Sequence, residues 1–217
     1  DMDALAHNYE TLRKRIGENV KFLGVVKADA YGHGSVQVSR LLQESGADYL
    51  AVSSIDEAVE LRHNGITMPV LILGHTPKEE VSELIKNNIT QAVTCRAKAL
   101  EYSEEAVKCG GTLKIHIKVD TGMSRLGFPV AKESVEEILK IGRLVYTDCE
   151  GMFTHFSKAD ETDKTTTLEQ IRAFLWMKEH LAAEGMEFTY YHCANSASII
   201  AVSYTHLRAH ETGAYLV

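Results

Sequence analysis

The chain has 217 residues, a mass of 24.1 kDa, 45% hydrophobic and 24% charged residues, and a formal charge of −7. That length can bury a full core as one α/β domain, and the acidic balance excludes a general nucleic-acid surface, which needs clustered Lys and Arg. No apolar run approaches the roughly 20 residues of a membrane span, and the opening Asp1-Met2-Asp3-Ala4 has no basic leader region.

In chain order, a helix is predicted around residues 3–16, so abruptly that residues are expected to precede it. A strand at Phe22–Val26 follows, then a helix at Val36–Gly46 and a strand at Tyr49–Ser53. Ile55–Asn64 reads as a helix with Ile55, Ala58, Val59 and Leu61 inward, and Val70–Leu73 as the next strand. Pro77–Asn87 reads as a helix whose Pro-Lys-Glu-Glu start suits proline's fixed φ and the positive dipole end. Strands at Thr90–Thr94, Leu113–Val119, Cys149–Phe153 and Thr189–Cys193 complete a set of seven, and the longest helix runs from Thr165 to Glu184. Such alternation predicts a parallel sheet whose strands, covered on both faces, are near-continuously apolar. Cys95, Cys109, Cys149 and Cys193 show neither a CxxC pair nor metal spacing, which predicts reduced, mostly buried thiols and a cytoplasmic address.

Periodicity alone fits an open doubly wound sheet and a closed barrel equally. The chemically loaded residues decide between them: Lys27, Gly74-His75, Arg125, His155 and Asn195-Ser196 follow five different strands. A doubly wound sheet would gather them at one switch point, whereas a (β/α)8 TIM-like barrel gathers every strand end into one site. The fold expected is therefore an α/β barrel, incomplete because no eighth strand is visible.

Four segments carry the chemistry. In Val25-Val26-Lys27-Ala28-Asp29-Ala30-Tyr31-Gly32-His33-Gly34, an apolar strand delivers a lysine to a loop of small residues. Partial desolvation there favours the neutral, nucleophilic amine, whereas an isolated strand-end lysine would simply snorkel to water. In Lys118-Val119-Asp120-Thr121-Gly122-Met123-Ser124-Arg125-Leu126-Gly127, Arg125 offers a planar donor fork for a carboxylate or phenolate, or a salt bridge to Asp120. Gly151-Met152-Phe153-Thr154-His155-Phe156 places a histidine at a strand end, by default a hydrogen-bonded wall residue. His192-Cys193-Ala194-Asn195-Ser196-Ala197 opens a helix, as a plain cap or as a phosphate seat.

Together and in this order, these segments resemble the alanine racemase family, pyridoxal-phosphate enzymes of fold-type III, over roughly residues 3–202. The resemblance implies that Lys27 carries the cofactor as a Schiff base and serves as base on one face. It implies that Arg125 bonds the phenolic oxygen near the substrate carboxylate, and that His155 lies against the ring. Tyr31 and Ser196, with Asn195 beside it, would bind the phosphate, and Lys118 stands where many members carry a carbamylated lysine that orients the arginine. No metal is implied. The activity implied is interconversion of L- and D-alanine, supplying D-alanine for peptidoglycan, in a cytoplasmic homodimer.

The chain also departs from that pattern. A C-terminal β domain, whose tyrosine is the second acid/base in the partner subunit's barrel, has no counterpart, nor does the Arg-Pro-Gly segment of the eighth strand. Residues 1–202 are expected to form the barrel, residues 203–217 a tail of foreign character, and the chain alone to racemise weakly. His206, His210 and Glu211 in that tail have too few ligands for a metal site, and Tyr204 and Tyr215 are candidates there for a second base. Alternatives within reach are a single-domain pyridoxal-phosphate-binding homeostasis protein without turnover, a serine racemase of the same family, or a fragment that does not fold alone.

Overall fold

The computed structural model describes residues 1–201 and 214–216. Its strands are β1 (Leu23–Val25), β2 (Tyr49–Val52), β3 (Val70–Ile72), β4 (Ile89–Val93), β5 (Leu113–Asp120), β6 (Phe128–Pro129), β7 (Thr147–Phe153), β8 (Tyr190–His192) and β9 (Ala214–Leu216). All pairings are parallel, in the order β1-β2-β3-β4-β5-β7-β8-β9, with β6 added beside the end of β5. Sequential neighbours joined by helical crossovers make an α/β half-barrel, as the motif placement required.

Side-chain alternation divides the apolar residues into two layers. Leu50 and Val52 of β2 join the large core between sheet and helices, while Tyr49 and Ala51 face inward with Leu71, Ala92 and Phe153. The helices supply the other half of the outer core: Ala58 and Leu61 from Ile55–His63, Ile138 and Ile141 from Lys132–Ile141, and Phe174, Met177 and Leu181 from Thr165–Ala183 are buried there. Among the described residues no helix is long and apolar enough to cross a membrane.

Four expectations need correction. An eighth sheet member exists: Ala214–Leu216 pairs in parallel with Tyr190–His192, and three residues in a polar setting were too short a run to read as a strand. Its pairing also covers the edge of β8 that a seven-stranded sheet would have left open. The Pro77–Asn87 segment divides into a 3-10 turn at Lys78–Glu80 and a helix at Val81–Lys86. The inner face of β5 is polar, because Lys114, His116 and Lys118 alternate with Leu113, Ile115, Ile117 and Val119 of the outer core. Finally, two of the four free cysteines, Cys95 and Cys109, are exposed.

The segment after β1 is not a loop. Ala28, Asp29, Ala30 and Tyr31 all have φ between 51° and 57° and ψ between 35° and 51°, one turn of left-handed helix ending at Gly32 with φ 87°. Each such residue with a Cβ costs roughly 1–2 kcal/mol, so the turn persists only where its surroundings over-determine it. Asp29 supplies one fastening: its Oδ1 accepts the N–H of Ser35 at 2.7 Å and its carbonyl that of Gly34 at 3.0 Å.

Candidate active site

A cavity of about 570 Å³ opens at the C-terminal ends of the strands. Its wall includes Lys27 after β1, Ser53 after β2, Leu73 and Gly74 after β3, Thr94 after β4, Lys118 on β5, Thr154 and His155 after β7, and Asn195 and Ser196 after β8. Tyr31 and Arg125 complete it, so every candidate residue from the four motifs lines the same space. Its size is that of a small-molecule site, at the face where barrels hold their chemistry.

Lys27 is half-buried where β1 meets the left-handed turn, and Tyr31 at the other end of that turn is 65% exposed on the rim. Lys118 is 7% exposed; its Nζ donates to the Val119 carbonyl at 3.0 Å and lies 5.2 Å from the centre of the Phe153 ring. Burial lowers its pKa to about 8, with Asp120 opposing the shift and Arg125 adding to it. Arg125 is exposed, and Asp120 is not its partner: the Asp120 carboxylate accepts the N–H groups of Gly122 and Ser124, both at 3.0 Å, which folds the loop and leaves the guanidinium to the cavity. Burial lowers the pKa of His155, and the charges of Lys118, Arg125 and Lys27 lower it further, so the imidazole is neutral at pH 7.

Asn195 is engaged in the fold. Its Oδ1 accepts the Ser198 N–H at 3.0 Å while Ser198 Oγ accepts the Asn195 N–H at 2.9 Å, a reciprocal cap on the helix Ser196–Ala201. Ser196 is exposed on the cavity wall, so of this pair it is the serine that faces the site.

The lowered pKa of Lys118 sets a pH dependence. Between pH 8 and its ordinary value of 10.5 the folded chain holds fewer protons than the unfolded one, so this group makes stability rise with pH across that window. In CO2-free buffer the wild type should gain roughly 3 kcal/mol on Lys118→Met between pH 8 and 10.5. Parallel denaturant titrations measure it; a constant difference would show that Lys118 keeps its ordinary affinity for protons.

Below the cavity runs a chain of buried polar groups that the sequence did not reveal. Tyr49 and Thr90 donate to Glu150 Oε1 at 2.7 and 3.0 Å, Lys114 Nζ lies 3.6 Å from Oε2, and His116 Nε2 stands 3.4 Å from Oε1, at ion-pair distance. Burial would raise the Glu150 pKa, but His116, Tyr49 and Lys114 together bring it down to about 2. His116 is fully buried and its pKa is lowered by that burial, so it is neutral with its proton on Nε2, towards the carboxylate. Its Nδ1 then accepts from His192 Nε2 at 2.9 Å, which leaves the Nδ1 of His192, on the cavity wall, as an acceptor.

A bulge makes this possible. The β5–β7 register passes from Ile115 opposite Cys149 to His116 opposite Gly151, so Glu150 is the extra residue and both it and Gly151 face the interior. A Cβ on Gly151 would lie 2.6 Å from three atoms of the His116 ring, so only glycine fits.

Comparison with known proteins agrees with this fold. The family model described as "Alanine racemase, N-terminal domain" matches residues 1–217. The chain belongs to the alanine racemase family. It is 44% identical over 216 residues to "Alanine racemase 1" of Clostridium acetobutylicum, covering 100% of this chain and 56% of that one. The "Alanine racemase" of Methanococcus maripaludis is likewise 44% identical, with 58% of its length covered. Among solved structures, the alanine racemase of Clostridium difficile 630 superposes with a TM-score of 0.92 at 41% identity, over 99% of this chain and 55% of that one. The alanine racemase of Bacillus anthracis with bound L-Ala-P superposes at 0.87 with 32% identity, again over 55% of its chain. The chain spans about half the length of these relatives, the part that their N-terminal domain describes.

The racemase motifs located the wall of the cavity but not its floor. A signal was available in the period-2 placement of Lys114, His116, Lys118 and Asp120, which puts four charged or polar groups on one face of β5.

Proposed function

We propose that this chain is the pyridoxal-phosphate-binding part of an alanine racemase, with Lys27 as the amine that takes the cofactor. The observation that carries the reading is the convergence of Lys27, Tyr31, Arg125, His155 and Ser196 on one cavity from separate strand ends. The donor set fits an anionic aromatic aldehyde: an amine inside, an imidazole beside it, a guanidinium at the wall, and two hydroxyls on the rim. Bound pyridoxal phosphate would offer Lys27 an aldehyde and give an electron pair left at Cα an electron-withdrawing ring to enter.

Lys27 would hold that aldehyde through its amine, and with an amino acid in its place the free Lys27 amine would remove or return the Cα proton on its own face. Arg125 would bind the phenolic oxygen and the substrate carboxylate, as a permanent cation that no carboxylate among the described residues pairs with. His155, neutral, would stand beside the ring. Tyr31 and Ser196 would hold the phosphate, and Asn195 serves by fixing the backbone at Ser196. Lys118, about half neutral near pH 8, is suited to take up CO2 with release of a proton, and the carbamate would become an anionic partner for Arg125. The same reading assigns residues 1–202 to the barrel together with the strand Ala214–Leu216, while Tyr204, His206, His210 and Glu211 lie outside the described residues. Alanine as substrate, D-alanine supply for peptidoglycan, a homodimer and a cytoplasmic location follow from the family, and an L-Ala-P-bound relative supports the first.

The test is covalent mapping. The purified chain mixed with pyridoxal phosphate should develop a visible absorption band, and borohydride should fix the label on the peptide holding Lys27. A label elsewhere, or none on folded protein, would remove the assignment.

A further inference from the structure

Ser54-Ile55-Asp56-Glu57 has the form of a capping box at the start of the helix Ile55–His63. Ser54 does cap it, its Oγ accepting the Glu57 N–H at 3.4 Å. In a simple box the Glu57 carboxylate would return to the N–H of Ser54 itself. Here it is used differently. Oε2 accepts the N–H of Ser53 at 2.6 Å, and Oε1 reaches from the end of β2 to the end of β1 and accepts the N–H of Ala28 at 2.7 Å.

Ala28 is the residue after Lys27 and the first of the four in the left-handed region. The far end of that turn is fastened by Asp29 through Ser35 and Gly34. At its near end the backbone is held by Val26, whose N–H donates to the Ala51 carbonyl at 2.9 Å and whose carbonyl accepts from Ala30 at 3.0 Å. Among the described residues, Glu57 is the side chain that hydrogen-bonds to the Lys27–Ala28 stretch itself. A conformation this unfavourable needs its first residue fixed, and a charge-assisted bond to a carboxylate is a strong means of doing so.

We propose that Glu57 is a positioning residue for Lys27. By clamping Ala28 to the end of β2, it sets where the left-handed turn begins and so the direction in which the lysine leaves the strand for the cavity. The inference rests on the reading of Lys27 as the cofactor amine and adds to it a residue that touches neither cofactor nor substrate. Two acceptor oxygens are what the clamp requires. An amide at this position has one acceptor and an NH2 group, whose hydrogens would face the second backbone N–H. Glu57→Gln therefore keeps the shape and loses one of the two bonds.

The experiment compares the wild type with Glu57→Gln and with Ser54→Ala, which weakens the same helix start but leaves both clamp bonds. The rate at which pyridoxal phosphate becomes borohydride-fixable on Lys27 should fall at least about ten-fold in Glu57→Gln, a misplacement effect, and less than about two-fold in Ser54→Ala. Without cofactor, deuterium exchange at the Ala28 amide should quicken by at least about ten-fold in Glu57→Gln alone. Equal labelling rates in wild type and Glu57→Gln, or equal slowing in the two variants, would overturn the proposal. A wild type that takes no label at Lys27 would overturn the cofactor reading instead, and the exchange measurement would still decide whether Glu57 holds Ala28. Should Glu57→Gln fail to fold, Glu57→Asp replaces it: the arm is one methylene shorter, reaches one amide and not both, and should show the same two effects.

Discussion

Lys27→Ala should lose covalent attachment of pyridoxal phosphate altogether, and with it the exchange of the alanine α-proton for solvent deuterium. Positioned acid/base groups contribute about 10²–10⁴-fold to such transfers, so exchange in deuterated water should fall by at least that factor. The remaining lysine of the cavity does not substitute for it. Lys118 Nζ is tied to the Val119 carbonyl and lies over the Phe153 ring, so its amine is directed at the wall. The measurement is the loss of the α-proton signal of L-alanine by NMR with saturating cofactor. Exchange at the wild-type rate would mean that another group is the base and that Lys27 is an ordinary strand-end cation.

Glu150→Ala should lower stability by about 3–5 kcal/mol, because it strands buried partners instead of removing an exposed contact. Tyr49 is 2% exposed and His116 0%, and both lose their anionic partner at once, with Thr90 and Lys114 beside them. For a chain of this length the loss corresponds to about 6–20 °C in Tm. The sign with pH follows from the lowered pKa. Between about 2 and 4.5 the folded chain holds fewer protons than the unfolded one, so this stabilisation is complete above pH 4.5 and drains away as the pH falls towards 2. Glu150→Gln should accordingly flatten the acid limb of the stability profile. An acid limb identical to that of the wild type would show that Glu150 titrates normally.

The strands were legible because each is a short, largely apolar run closed by turn residues, and all seven expected begin and end within two residues of their observed bounds. The site's wall was legible too, since Lys27, Arg125, His155 and Ser196 each stand just beyond an apolar run. What stayed hidden depends on geometry that residue types do not encode. The left-handed turn uses Ala28, Asp29, Ala30 and Tyr31, and of these only aspartate is a residue that visits that region readily. The bulge at Glu150 is a register event between two strands, invisible in either one alone. Asn195 was read as a ligand candidate, while its side chain closes a reciprocal cap with Ser198, a pairing three residues apart that the sequence does contain.

The strand order has a consequence for synthesis. Since sheet neighbours follow one another in the chain, each strand leaving the ribosome meets a partner already made, and assembly can proceed from β1 onwards without waiting for distant segments. The exception is the bond between the two ends. Arg15, in the first helix, donates through Nε to the Ile199 carbonyl at 2.7 Å and through Nη2 to that of Ile200. Arg13 ties the same helix to Val20 and Asp48 as soon as those residues are made, so the Arg15 bonds come as a second, later fastening, added only after β8 has been translated.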